Sequence, residues 1–207
     1  MPWFAVLTIA FFSFHISQAS SYAFVEFQDG DIIFHKSQSS QSSAIAEATG
    51  SPWSHVGIIV KNGTDTYVAE AIQPVTVTSL RSFVARGKNS EFRVYRFKYY
   101  NNKTMKLKLY STLKEYYGKN YDIYFEFSNE RIYCSELVYK VFKKVTGQEV
   151  GRPQKMKELN LNGPHVQKLI QDRLTDIGKE LDPNELIVTP ANQMFESDLG
   201  LVFNSHP

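Results

Sequence analysis

The chain has 207 residues, with 23 Lys and Arg against 21 Asp and Glu, for a formal charge of +2. That length suits one globular domain with a full core. The near balance of interleaved charge excludes a nucleic-acid surface built on a basic stripe, and 12 Tyr with 15 Phe exclude extensive disorder away from the ends.

Residues Met1 to Ala19 contain no Asp, Glu, Lys or Arg, and Phe4 to Phe14 is almost wholly apolar. Ser17 and Ala19 place small residues at the minus-three and minus-one positions of a cleavage site before Ser20. This predicts a secretory signal peptide over 1–19, with one domain over 20–207. Its positive n-region departs from the usual pattern, because only the α-amino group supplies charge. The run is too short for a comfortable membrane span, and no later segment is long enough for one. The expected destination is the periplasm or the exterior.

Asp29-Gly30 reads as a turn before a strand over Asp31–Phe34. Ser37–Ser43 reads as a polar loop leading to a short helix closed by Gly50. His55–Val60 is a second strand, ended by the hairpin signal Asn62-Gly63, with Thr66–Ile72 returning antiparallel. Further strands are expected at Val75–Val77 and Phe92–Phe97, with a short helix over Ser79–Ala85 closed by Gly87. Met105–Tyr117 has helical periodicity stopped by Gly118. Ile132–Val145 carries the clearest amphipathic pattern: Leu137, Val138, Val141, Phe142 and Val145 share one face, and Gly147 closes it. A helix over Pro164–Leu181 and closing strands at Leu186–Val188 and Leu199–Phe203 complete an α+β pattern, a meandering sheet flanked by helices.

Cys134 is the only cysteine. A structural cysteine in an exported chain is usually paired, so an unpaired one at a helix start has two readings: a small buried hydrophobe, or a thiolate favoured by the helix dipole. No CxxC or paired Cys/His spacing supports a structural zinc site, and no cofactor is indicated. A nucleophilic thiol needs a base, and the base an orienting group. Of five histidines, His15 lies in the signal segment, His206 lies next to the C-terminus, and His165 reads as a surface residue at a helix start. His35 and His55, each at a strand end, compete for the role. Glu70 shares a strand face with Val68 and Ile72, where a carboxylate needs a partner. A two-residue Asn62-Gly63 hairpin places His55 opposite Glu70, seven residues from the turn on each side. That favours His55. The helix start at Cys134 also offers free backbone N–H groups that suit an oxyanion.

With these residues in view, the chain resembles the YiiX/YebB-like proteins, circularly permuted relatives of the NlpC-type, papain-like cysteine hydrolases. The resemblance is carried by Gly30-Asp31-Ile32-Ile33-Phe34, Ser54-His55-Val56-Gly57-Ile58, Ala69-Glu70-Ala71, Tyr121-Asp122 with Phe125, Tyr133-Cys134-Ser135-Glu136-Leu137-Val138, and Val188-Thr189-Pro190. It covers most of Gln28 to Phe203. It implies a permuted papain-like fold, with the histidine strand before the cysteine helix. It also implies Cys134 as nucleophile, His55 as base and Glu70 as third residue, with Tyr121 and Tyr133 lining the substrate site. The lecithin:retinol acyltransferase-like enzymes are similar in chain order, but carry a different nucleophile motif and a histidine as third residue.

The expected activity is hydrolysis of an amide, of a peptide or peptidoglycan-derived substrate, through a thioester intermediate. The first alternative keeps the triad and acts on a lipid acyl bond, for which an apolar cleft beside Cys134 is the discriminating feature. The second is a non-catalytic binding module in which the three residues are bystanders.

Overall fold

The computed structural model describes residues 25–174, 178 and 180–206. The expected signal peptide therefore lies outside the described residues. At the centre is a six-stranded antiparallel sheet in the order β4-β3-β2-β1-β5-β8. Its strands are β1 (Ile32–Ser37), β2 (His55–Asn62), β3 (Asp65–Glu70), β4 (Thr76–Ser79), β5 (Gly87–Phe97) and β8 (Leu199–Asn204). The helices are α1 (Ser42–Thr49), α2 (Leu80–Ala85), α3 (Asn102–Lys114), α4 (Cys134–Thr146), α5 (Pro164–Leu174) and α6 (Pro190–Met194). A two-stranded ribbon joins β6 (Gln154–Lys155) to β7 (Leu186–Ile187). The α+β expectation matches this arrangement.

Strand alternation sorts the core into two layers. Ile32, Phe34, Val56, Ile58, Val60 and Ala69 face α3 and α4, meeting Leu109, Leu113, Leu137, Val141 and Phe142. Ile33, Ile59, Val68 and Val94 face the other way, against Leu80, Phe83 and Val84 of α2. The Gly30-Asp31 turn is structural. Gly30 has φ +85°, and a Cβ there would meet the Tyr100 ring at 2.4 Å. Asp31 takes a two-pronged bond from Arg96 at 2.7 and 2.8 Å, fixing the start of β1 to β5.

The β2–β3 hairpin corrects one expectation. Asn62 pairs with Asp65, so the two loop residues are Gly63 and Thr64 rather than Asn62 and Gly63. The register runs Ile58↔Ala69 and Ile59↔Val68. Continued, it brings Gly57, not His55, opposite Glu70. A slip of one residue would have sent Glu70 to the other face; a slip of two keeps it on the His55 face. Gly57 then leaves room for Glu70 to cross toward His55, since a Cβ at 57 would meet Val68 Cγ1 at 2.4 Å and Glu70 Cβ at 3.4 Å.

Other boundaries shift for local reasons. Helix α4 begins at Cys134 rather than Ile132, because Ile132 is committed to a parallel bridge with Tyr121. Helix α3 begins three residues early, where the Asn101 side chain accepts from the Thr104 N–H at 3.3 Å. Gly87 opens β5 opposite Ser37 rather than merely closing α2. Helix α5 is described over Pro164–Leu174; residues 175–177 and 179 of the longer expected helix lie outside the described residues. The short helix α6, capped by Thr189, was not expected from the sequence.

Replacing Gly57 by Val should cost about 1–3 kcal/mol by overpacking. Urea unfolding measures the loss, and a variant as stable as the parent would show that the Gly57 gap is not required.

Candidate active site

The chemistry-bearing residues converge at one end of β2. Cys134 is the first residue of α4, whose apolar face packs it against β2. Its flanking residues are pinned to the chain's tail. The Val188 N–H donates to Tyr133 Oη at 3.1 Å, and Ser135 Oγ donates to the Val188 carbonyl at 2.8 Å. Gln193 Nε2 donates to the Ser135 carbonyl at 2.9 Å. These bonds explain why Val188-Thr189-Pro190 accompanies the cysteine motif: the tail holds the helix start in place.

His55 Nε2 lies 2.7 Å from Glu70 Oε2. Glu70 is wholly buried, and its second oxygen accepts from Thr78 Oγ1 at 2.5 Å and from the Arg86 guanidinium. Burial pushes the Glu70 carboxyl up, but the hydrogen bond and charge of His55, with Thr78 and Arg86, outweigh it and hold it at about 2. Burial likewise disfavours a charged His55, yet hydrogen bonds to Cys134 and Glu70 and their charges raise it to about 9. Burial raises the Cys134 thiol, and its hydrogen bond to His55, the imidazolium charge and the backbone of Val56 and Ser135 bring it below its ordinary value. The pair is thus stabilised as thiolate and imidazolium, and its titration belongs to both groups together.

His35, the competing histidine, pairs directly opposite His55 across β1 and β2, with ring centroids 5.0 Å apart. It stacks on Phe83 at 4.4 Å, and burial, then the charge of His55, push it down to about 2. It stays neutral. Strand order separates the two histidines: β2 neighbours β3, which carries Glu70, and β1 does not. His165 is exposed on α5, where its backbone N–H donates to Glu47 at 2.9 Å.

The structure places Tyr121 and Tyr133 differently. Tyr133 is buried, with its ring edge-on to Phe125 and its hydroxyl occupied by Val188. Tyr121 is half-buried, tied to the chain before α4 through its bridge with Ile132. Burial, then the charge of Cys134, raise its phenol well above the usual range, so it keeps its proton.

Two concavities meet here. A narrow apolar cavity, about 90 Å³, reaches Cys134 between α1 and α5, lined by Ala44, Ala48, Tyr133, Leu169, Ile170 and Ile187 among others. A wider polar cleft, about 840 Å³, is bordered by His55, Tyr121, Gln41, Gln73, Arg86 and Asn120. The sequence did not reveal the cavity, or Thr78, Arg86 and Gln41. Only the unusual carboxylate in β3 hinted that cationic or hydroxyl partners had to exist.

Comparison with known proteins agrees with this architecture. The family described as permuted papain-like amidase, YaeF/YiiX, C92, matches residues 26–199. The uncharacterized protein YiiX of Escherichia coli strain K12 is 41% identical over 163 residues, 79% of each chain. A crystal structure of YiiX from Escherichia coli O157:H7, described there as a metalloprotein, superposes with a TM-score of 0.81. It is 39% identical, over 87% of this chain and 98% of that one.

Iodoacetamide should alkylate Cys134 at neutral pH faster than it does a free thiol, with the rate falling off at lower pH than for a free thiol. His55→Ala should move the thiol titration up toward the ordinary cysteine range; an unchanged profile would show that His55 does not support the thiolate. Glu70→Gln should lower the upper limb of the profile from about 9, the value set with Glu70 charged.

Proposed function

The chain belongs to the permuted papain-like amidases, and from that premise we propose that it is a thiol amidase using Cys134, His55 and Glu70 on substrates with a long aliphatic acyl group. The Cys134 thiolate attacks the amide carbonyl. The imidazolium of His55 then donates its proton to the departing amine, and the neutral imidazole activates the water that hydrolyses the thioester. Glu70 holds the ring and offsets its charge. The Cys134 backbone N–H, at the first turn of α4, and the Tyr121 hydroxyl stabilise the oxyanion.

The observation that carries the acyl specificity is the apolar cavity that Cys134 helps to line. Its apolar lining suits an aliphatic chain better than a peptide backbone, whose N–H and C=O groups would go unpaired there. On this reading the substrate is a lipid acyl amide, where the NlpC-type likeness led to a peptide or peptidoglycan-derived one. The polar cleft takes the leaving group. The Escherichia coli relative is described as a metalloprotein. Among the described residues here, no group of three or more His, Cys, Asp or Glu side chains is disposed to hold a metal ion. The apolar run Phe4–Phe14 supports export to the periplasm or beyond. No described helix is long and apolar enough to cross a membrane.

For a series of N-acyl p-nitroanilides from acetyl to decanoyl, kcat/KM should climb by up to ~4-fold per methylene, the worth of burying one CH₂. Ala48→Phe, which fills the cavity, should shift the optimum to short chains and leave acetyl hydrolysis nearly intact. A flat profile in the parent, or faster cleavage of peptide anilides, would overturn the acyl reading. Mass spectrometry of the exported protein should find Ser20 as its first residue; retention of residues 1–19 would refute the signal peptide.

A further inference from the structure

Gln41 stands at the N-terminal edge of α1 but does not cap it with its side chain. Instead the side chain bridges two distant segments. Its Nε2 donates to Tyr121 Oη at 2.8 Å, and its Oε1 accepts from Arg173 Nη2 of α5 at 2.6 Å. The Arg173 bond fixes the amide: the oxygen must face the guanidinium, since arginine only donates, so the NH₂ must face the phenol. A phenol oxygen that already accepts from Gln41 has its own O–H directed elsewhere. Arg173 is itself anchored, because it also donates to the Ile123 carbonyl and lies over the Phe125 ring.

We propose that Gln41 and Arg173 are positioning residues that fix the Tyr121 hydroxyl as a hydrogen-bond donor toward the oxyanion formed on Cys134. This rests on the reading of Cys134 as an acyl-transferring thiol. No proton leaves Tyr121: it donates a hydrogen bond while negative charge grows on the carbonyl oxygen, and the same bond weakens when the carbonyl re-forms. The phenol suits this role because it stays protonated beside a thiolate. Gln41 and Tyr121 both border the polar cleft with His55, whereas Cys134 opens to the apolar cavity. The donor therefore approaches the reacting carbonyl from the leaving-group side. Arg173 also lines the apolar cavity, so the residue that orders the donor sits against the proposed acyl chain.

The test compares two reactions of the same sulfur. Hydrolysis of p-nitrophenyl octanoate passes through an oxyanion, and alkylation by iodoacetamide does not. Gln41→Leu and Tyr121→Phe should each lower kcat for the ester by roughly 10- to 100-fold, somewhat below the effect of deleting an oxyanion donor outright. KM and the iodoacetamide rate should stay near wild type. Gln41→Glu is the sharper variant. It retains the shape and the bond to Arg173, but its carboxylate would accept the phenol hydrogen and turn it away from the site, so kcat should fall as in Gln41→Leu. The double variant Gln41→Leu, Tyr121→Phe should be no slower than Tyr121→Phe alone, because both act through one bond.

A readout without turnover is protection of Cys134 from iodoacetamide by decanal, whose thiol adduct bears an oxygen at the same place. Its half-protecting concentration should rise about 10-fold or more in each variant, on the order of one lost charge-assisted hydrogen bond. Wild-type kcat and wild-type protection in Gln41→Leu and Gln41→Glu overturn the proposal, as does equal absence of protection in all forms. A parallel fall in alkylation rate also overturns it, since Gln41 would then support the site as a whole. If these differences hold while the chain-length profile is flat, the acyl specificity fails and the positioning role stands.

Discussion

The pairing of His55 with Cys134 depends on one buried carboxylate. Glu70 has no exposure to solvent, and a lone charge there would be prohibitive. It is tolerated because His55, Thr78 and Arg86 meet its two oxygens. The carboxylate in turn makes a charged His55 affordable in the interior, and the imidazolium makes a thiolate favourable at Cys134. Arg86, Glu70, His55 and Cys134 stand in a chain in which each neighbour favours the charged form of the next. Removing an inner member leaves its neighbour as an uncompensated buried charge.

The elements around that chain set its geometry. Sheet order puts β3 beside β2, so the carboxylate reaches His55 and leaves His35 as a neutral stacked neighbour. The amphipathic face of α4 fixes Cys134 to β2, and the bonds from Tyr133 and Ser135 to Val188 tie the helix start to the tail. Cys134 lies between surfaces of opposite character, an apolar cavity toward α1 and α5 and a polar cleft beyond His55. On the proposed function, a substrate lying across this boundary is sorted by solvation: an aliphatic part gains by leaving water, and a polar part keeps hydrogen-bond partners.

The hairpin shows how far a linear reading carries. Asn62-Gly63 rightly located the turn and the antiparallel pairing, but the loop proved to be Gly63-Thr64, moving the register by two. The His55 and Glu70 side chains still met, because strand alternation has a period of two and an even slip preserves the face. What alternation did not disclose was Gly57, whose missing side chain lets Glu70 reach across. The helix at Cys134 was legible from its apolar period. Its true start was not, because it is set by the bridge between Ile132 and Tyr121, which no local pattern records.

The sequence by itself determined the α+β pattern, the unpaired thiol at a helix start, and the strand face shared by a histidine and a carboxylate. These follow from periodicity and residue chemistry within short windows, and with the ordered motifs they pointed to the family. Tertiary structure decided which histidine met the carboxylate, what else held that carboxylate, and where the apolar cavity opened. It alone joined Gln41 to Arg173, 132 residues away in the chain. Such contacts depend on how helices pack across a sheet, and packing is a property of surfaces brought together from distant segments, which no spacing along the chain encodes.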